Sequence, residues 1–220
     1  MHIIPVSIVD NFLNNPDSIR NWALTQEFFP DPRGQWPGLR TNPLYEINPE
    51  LAESINFKYF NLFFNLYTDD AKWVVDSRFQ LTTENAGQGW VHQDSDSRLT
   101  GIVYLNPFPS PESGTSIYQR KEGAHPPRAG ELNHTKVQQY LGNITKEEAD
   151  ANRVLLNNHY TETIRVNNVY NRLITFDAHL PHAAHDYFGD DSTDARLTLV
   201  IFVQKLYADR TPISRSKLIL

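Results

Sequence analysis

Trp73-Val74-Val75-Asp76-Ser77-Arg78-Phe79-Gln80-Leu81-Thr82-Thr83 is where the chain changes character. Its β-branched and aromatic side chains, uninterrupted by Pro or Gly, read as a strand. Toward the C-terminus, runs of the same kind recur. Leu99 to Leu105 is stopped by Asn106-Pro107, and Thr115 to Tyr118 follows a turn at Gly114. Thr163 to Val169, Arg172 to Phe176 and Leu197 to Val203 complete the set. Short strands separated by Gly, Pro and Asn turns indicate an antiparallel sandwich or jelly roll. Toward the N-terminus the texture is different. Residues 1–9 suit one short strand, and Asn15-Pro16-Asp17 opens a helical stretch carrying Ile19, Trp22, Ala23 and Phe28. Pro30, Pro32, Pro37 and Pro43 forbid regular structure in the next loop, and Pro49 suits the first turn of a helix to about Phe57.

The chain has 220 residues, enough for one domain with a sizeable core and cramped for two. The expected organisation is a single domain over 1–220: a helical part at about 1–70, a β core at about 72–205 and an insertion at about 119–160. The insertion begins as the polar stretch Gln119 to Pro127, and Thr145-Lys146-Glu147-Glu148 is a capping-box pattern opening a helix to about Asn157. Forty residues between two strands is long for a connection, which makes this segment either decoration or a lid over the barrel mouth. A net charge of −6 argues against a nucleic-acid or anionic-membrane partner. The absence of cysteine removes disulfides, thiolate metal sites and cysteine nucleophiles, leaving His and carboxylates as the strong metal ligands. Met1-His2-Ile3-Ile4-Pro5 lacks the features of a signal peptide, and no apolar run approaches the ~20 residues of a membrane span, so a cytoplasmic protein is expected.

The residues with chemistry come in a telling order. His92 and Asp94, in Gly89-Trp90-Val91-His92-Gln93-Asp94, point to the same side of an extended chain and can reach one ion. Gly87 and Gly89 let the segment bend. Alone, His-x-Asp is also an ordinary surface turn, and Asp96 fits that reading. Ninety residues on, Phe176-Asp177-Ala178-His179-Leu180-Pro181-His182 and His185 offer a third ligand. His182 is favoured, because it follows an apolar strand where the chain re-enters the sheet, while His185 would face the other way and His179 sits in the turn. Two imidazoles and a carboxylate can hold one face of a ferrous ion and leave its other positions open. Arg196 then opens the apolar run Leu197 to Val203, where an unpaired guanidinium is costly. Either Asp194 pairs with it at the sheet edge, or it clamps a bound carboxylate, with Thr198 on the same face donating to the same anion. Tyr104, on the strand after the His-x-Asp turn, is either a core aromatic or a further donor to that acid.

These segments resemble the 2-oxoglutarate and Fe(II)-dependent dioxygenases, particularly the prolyl-hydroxylase-like branch. The resemblance is carried by Val91 to Asp94, Thr100 to Asn106 with its Tyr-Leu-Asn ending, Gly114 to Tyr118, Leu173 to His182 with its Leu-Pro-His entry, and Arg196-Leu197-Thr198. It implies a double-stranded β-helix, cupin-like, with iron held by His92, Asp94 and His182. It also implies that 2-oxoglutarate meets Arg196 with help from Tyr104 and Thr198, and that dioxygen is consumed. The implied reaction yields succinate and carbon dioxide and hydroxylates an unactivated C–H bond. From His182 to Arg196 is fourteen residues, longer than the branch's common spacing, whereas from His185 it is eleven, which keeps His185 open. A cupin-type metal enzyme without 2-oxoglutarate and a non-catalytic jelly-roll module are the rival readings. The former usually draws on more histidines; intact His92, Asp94 and His182 speak against the latter. A nucleic-acid demethylase is disfavoured by the acidic balance. The substrate, whether an amino acid, a peptidyl residue such as proline or a small metabolite, is not written in the chain. Arg120, Lys121 and Arg128 read as a solvated loop face, and the Pro-rich loop is expected to shape the pocket.

Overall fold

The computed structural model describes residues 6–110, 112–125, 129–191 and 193–208. In chain order the elements begin with β1 (Ser7–Val9), α1 (Pro16–Ala23), β2 (Phe29–Pro30), β3 (Leu39–Arg40), α2 (Leu44–Ile47) and α3 (Pro49–Phe60). There follow β4 (Ala71–Thr82), β5 (Leu99–Tyr104), β6 (Thr115–Arg120), α4 (Ala129–Tyr140) and α5 (Lys146–Asn157). Last come β7 (Tyr160–Val166), β8 (Leu173–Asp177), β9 (His182–Ala184) and β10 (Arg196–Ala208). Two antiparallel sheets result, one in the order β1-β8-β5-β10-β4-β3-β2 and one in the order β7-β6-β9. This is the mainly β jelly roll with flanking helices that the strand runs predict.

Period-2 alternation on β10 decides which residues reach the interior and which reach the site. Leu197, Leu199, Ile201 and Val203 join the large core beneath the helices. Their alternates Arg196, Thr198, Val200 and Phe202 line a cavity on the opposite face. β10 is central, pairing with β4 through Leu199↔Phe79 and with β5 through Thr198↔Tyr104. The core face is covered by α3, whose Ala52, Ile55, Tyr59 and Phe60 recur at helical spacing and are buried. Asn48 caps that helix by accepting from Leu51 N–H at 3.0 Å, and Pro49 fills its first turn as expected. Trp22 of α1 meets Phe79 edge-on at 5.9 Å, and Phe60 stacks on Trp73 at 4.2 Å. Each such buried side chain contributes about 1.5–3 kcal/mol over its exposed state. Between the two sheets lies a smaller cluster of Tyr104, Ile117, Val166, Ile174 and Phe176.

Several boundaries differ from the sequence expectation. α3 runs one turn beyond Phe57, β7 begins at Tyr160 and stops at Val166, and β10 continues past Val203 to Ala208 through a bulge. The stretch His182–Ala184, three residues long, is a strand because β6 pairs with it, which no local pattern announces. Within the insertion, α5 has the capping box read from Thr145 and Glu148, and α4 is an additional helix. The proline-rich loop holds only the two-residue strands β2 and β3. Met1 to Pro5, Pro126, Pro127, Arg128 and the tail from Asp209 lie outside the described residues.

Candidate metal centre

Backbone hydrogen bonds bring the two histidine segments together. Gly89 N–H donates to Ala184 O at 3.1 Å, and a Cβ on Gly89 would stand 2.4 Å from that oxygen, so only glycine permits the approach. Three residues later His92 and His182 exchange both backbone hydrogen bonds, at 3.0 and 2.9 Å, as a single antiparallel bridge. Asp94 N–H donates to Ala178 O at 2.9 Å. This lacing sets the imidazoles 4.4 Å apart, with Phe176 against the buried His182 ring at 4.6 Å. His92 Nε2 is 3.6 Å from Asp94 Oδ1, and His182 Nε2 is 3.4 Å from Asp94 Oδ2. One ligand atom from each of the three lies within 4.8 Å of the others, a spacing that suits a single ion.

The ring nitrogens facing away from this point are also fixed. His92 Nδ1 lies 2.7 Å from Trp90 O, and His182 Nδ1 lies 2.8 Å from Leu180 O. A carbonyl oxygen only accepts, so each Nδ1 carries the hydrogen and each Nε2 presents a lone pair inward. Thr100 donates its hydroxyl to Asp94 Oδ2 at 2.6 Å. Burial opposes ionisation of Asp94, but His182, His92 and Thr100 outweigh it and hold the carboxyl below its usual range. His92 is lowered to about 3 by desolvation, with repulsion from Lys136 and His182 adding to it. His92 is thus kept neutral and Asp94 charged, the states in which each can ligate. Both shifts have the same sign for stability. As pH falls below the unfolded values of His and then Asp, the unfolded chain gains protons that these groups refuse when folded. The metal-free protein is therefore expected to lose stability between pH 6.5 and 3. The urea midpoint should fall between pH 7 and 4.5, and fall less steeply in His92→Gln.

His185 is not part of this group. Its Nε2 is 2.9 Å from Glu162 Oε2, and its backbone N–H donates to Gly114 O. Starting from His182, strand alternation sends residue 185 to the other face. His179 stays in the turn, where its N–H donates to Asp177 Oδ1 at 2.8 Å.

Arg196 and Thr198 line the same cavity, which encloses about 460 Å³. Arg196 is buried, and Asp194 does not pair with it; Asp194 Oδ1 instead accepts from Asp190 and Asp191 N–H. Arg196 Nε donates to Ser113 O at 3.0 Å, while Nη2 has no partner among the described residues. Thr198 Oγ1 is buried and equally without a partner among them. Two orphaned polar groups on one face of one strand are costly unless something binds there. Tyr104 is beside Arg196, its ring 5.4 Å from the guanidinium, but its hydroxyl already donates to Thr115 Oγ1 at 2.9 Å. Tyr187 flanks the guanidinium at 5.7 Å. Asn106 fixes the start of the strand, donating to Ala195 O and accepting from Leu197 N–H at 2.7 Å.

The insertion joins the site rather than decorating the surface. Trp90 Nε1 donates to Gln139 of α4 at 2.7 Å, and Asn157 of α5 accepts from Val91 N–H at 3.0 Å. Arg153 of α5 donates to Gln88 at 2.7 Å. Both helices therefore hold the segment leading into His92. Lys136, Tyr140 and, from the proline-rich loop, Trp36 and Arg40 line the cavity. Sequence reasoning did not single these out, nor Thr100 and Tyr187. Lys136 in particular looks like any surface lysine until α4 is laid over the barrel.

With this geometry in view, likeness to other proteins can be weighed. A model for a family of unknown function, DUF6445, matches residues 2–203. The chain belongs to this family. No curated protein matches it. Among solved structures, EvdO2 from Micromonospora carbonacea var. aurantiaca is 13% identical with a TM-score of 0.56, covering 96% of this chain and 91% of that one. HygX from Streptomyces hygroscopicus, solved with nickel, 2-oxoglutarate and hygromycin B, is 12% identical with a TM-score of 0.52, covering 90% and 82%. An oxidoreductase of the 2OG-Fe(II) oxygenase family from Burkholderia pseudomallei is 11% identical with a TM-score of 0.51, covering 91% and 84%. At such identities the likeness is one of fold: this DUF6445 chain has the jelly roll of 2-oxoglutarate-Fe(II) oxygenases. Among the described residues no helix is long and apolar enough to cross a membrane.

Proposed function

We propose that this protein is an Fe(II)- and 2-oxoglutarate-dependent oxygenase that hydroxylates an unactivated C–H bond of a small-molecule or peptidyl substrate. His92, Asp94 and His182 hold the iron, and Arg196 with Thr198 takes the distal carboxylate of 2-oxoglutarate, Tyr104 backing the guanidinium. The whole chain acts as one catalytic domain in this reading. The observation that carries it is the shared cavity. A two-imidazole, one-carboxylate donor set in its ligand tautomer faces the same space as a buried guanidinium and hydroxyl with unused hydrogen-bonding capacity. The donor chemistry fits ferrous iron, and the orphaned pair fits a carboxylate, whose two oxygens a guanidinium and a hydroxyl can satisfy together.

When bound, iron, 2-oxoglutarate and dioxygen supply the oxidising chemistry, with succinate and carbon dioxide as co-products. The protein's own residues do the rest. Trp90 O and Leu180 O keep both Nδ1 protonated, so neither imidazole can turn its Nε2 away. Thr100 holds Asp94 in place through Oδ2. No protein acid or base is required.

The test is anaerobic addition of Fe(II) and 2-oxoglutarate to the purified protein, read by visible absorption. A weak charge-transfer band that needs both additions and disappears in His92→Ala is the expected result. Metal binding with no band would count against 2-oxoglutarate and leave the cupin-type or non-catalytic readings.

A further inference from the structure

Two further cations line the cavity, Arg40 and Lys136, and among the described residues neither has an anionic partner. Arg40 comes from β3 in register with Gln80 of β4, whose Oε1 accepts from Arg40 Nε at 3.1 Å and Nη2 at 3.0 Å. Its guanidinium lies over the Trp36 ring at 4.4 Å and the Phe202 ring at 5.2 Å. Gln80 is itself opposite Thr198 of β10, so Arg40 comes from the neighbouring strand at that level, and its guanidinium leans toward Phe202, four residues further along β10. Lys136 enters from α4, its Nζ 5.8 Å from the Tyr140 ring centroid. Among the described residues neither Arg40 nor Lys136 forms an ion pair. Of the acidic groups lining the cavity, Asp76 pairs with Arg78 at 2.9 Å, Asp94 belongs to the triad, and Asp96 is exposed and forms no ion pair with either cation among the described residues. Burial lowers Arg40 to about 10 and Lys136 to about 8, so both carry charge at neutral pH although both are half-buried. Two half-buried cations facing one cavity on a chain of net charge −6 are a local concentration of positive charge that an anion would complement.

We propose that Arg40 and Lys136 form an anion subsite beside the triad, and that the substrate is an acid whose carboxylate, phosphate or sulfate group they hold. The aromatic faces of Trp36, Phe202 and Tyr140 then take the apolar part of that molecule. One anchor lies on the proline-rich loop and the other on the insertion, so both irregular segments serve the same recognition. The placing of a substrate carbon toward the triad rests on the oxygenase reading above; the anion subsite itself does not.

The test uses the protein loaded with Mn(II) and 2-oxoglutarate, so that the Arg196 corner is occupied, titrated calorimetrically with sulfate and separately with propionate. The expected result is one bound anion per chain. Sulfate binding the tighter would indicate a phosphate or sulfate ester, and propionate the tighter a carboxylic acid. Lys136→Gln and Arg40→Gln should each weaken that binding about tenfold or more, the share of a charge-assisted hydrogen bond, with 2-oxoglutarate affinity changed less than about twofold. Arg40→Lys, which keeps the charge, guards against a folding defect in Arg40→Gln. No anion uptake by the loaded protein, or uptake that Lys136→Gln and Arg40→Gln leave unchanged, would overturn the proposal. Failure to take up 2-oxoglutarate would remove the oxygenase reading alone. The same titration on Arg196→Ala protein then supports or overturns the subsite by the same contrast.

Discussion

Replacing His182 with alanine is expected to abolish stable Fe(II) or Mn(II) binding, weakening it by at least about 100-fold, the upper range for loss of a mere supporting contact to a ligand. The loss should be this large because the remaining pair, His92 and Asp94, are two residues apart on one segment and cannot enclose an ion. Among the described residues the opposing donor is His182, whose Nε2 stands 3.4 Å from Asp94. The fold should survive, since the bridge between residues 92 and 182 is made by backbone atoms that alanine keeps. Some stability is lost with the imidazole that packs on Phe176 at 4.6 Å. Metal content after reconstitution and the thermal shift on adding Mn(II) measure the effect, with His185→Ala as the comparison. His185 is engaged with Glu162 at 2.9 Å, so its variant should bind metal as the parent does. The reverse pattern, binding retained without His182 and lost without His185, would transfer the third ligand to His185.

The second large effect is expected from Arg196→Ala, which should weaken 2-oxoglutarate binding by about 2–5 kcal/mol, roughly thirtyfold or more. Arg196 is buried at the start of β10, where its Nε donates to Ser113 O and its Nη2 has no partner among the described residues. A dicarboxylate supplies what that guanidinium lacks, in a site where little water competes. Without the ligand, the same guanidinium is an uncompensated burden, so the metal-free, ligand-free variant should lose far less stability than the ligand-binding loss suggests. The thermal shift on adding 2-oxoglutarate in the presence of Mn(II) reads this directly, because ligand stabilisation follows affinity. Thr198→Val should show a smaller loss of the same kind, and metal affinity should be untouched in both. An unchanged shift in Arg196→Ala would refute the role of this corner.

Much of this protein was legible before any coordinates. Strand runs such as Trp73 to Thr83 and Leu197 to Val203 announced a β sandwich, because alternation and β-branched composition are local properties. The same alternation placed Arg196 and Thr198 on one face and sent His182 and His185 to opposite ones. The capping box at Thr145 and Glu148 opened α5 where it was expected, since a cap depends on only four residues. Gly89 and Gly114 were readable as a bend and a turn, but not that each lies against a distant backbone carbonyl, Ala184 O and Val166 O.

Only the tertiary structure decided the rest. The strand at residues 182–184 exists because β6 lies beside it, and the bridge between His92 and His182 joins residues ninety positions apart. No window of sequence contains both partners. Asp194 was a plausible partner for Arg196 by position, yet it closes its own turn and leaves the guanidinium to the cavity. Lys136 and Arg40 carry no local signature, and they become a pair only when α4 and the proline-rich loop converge on one cavity. Local chemistry wrote the elements and the triad's donors in the chain; long-range packing alone set which charges were left without partners.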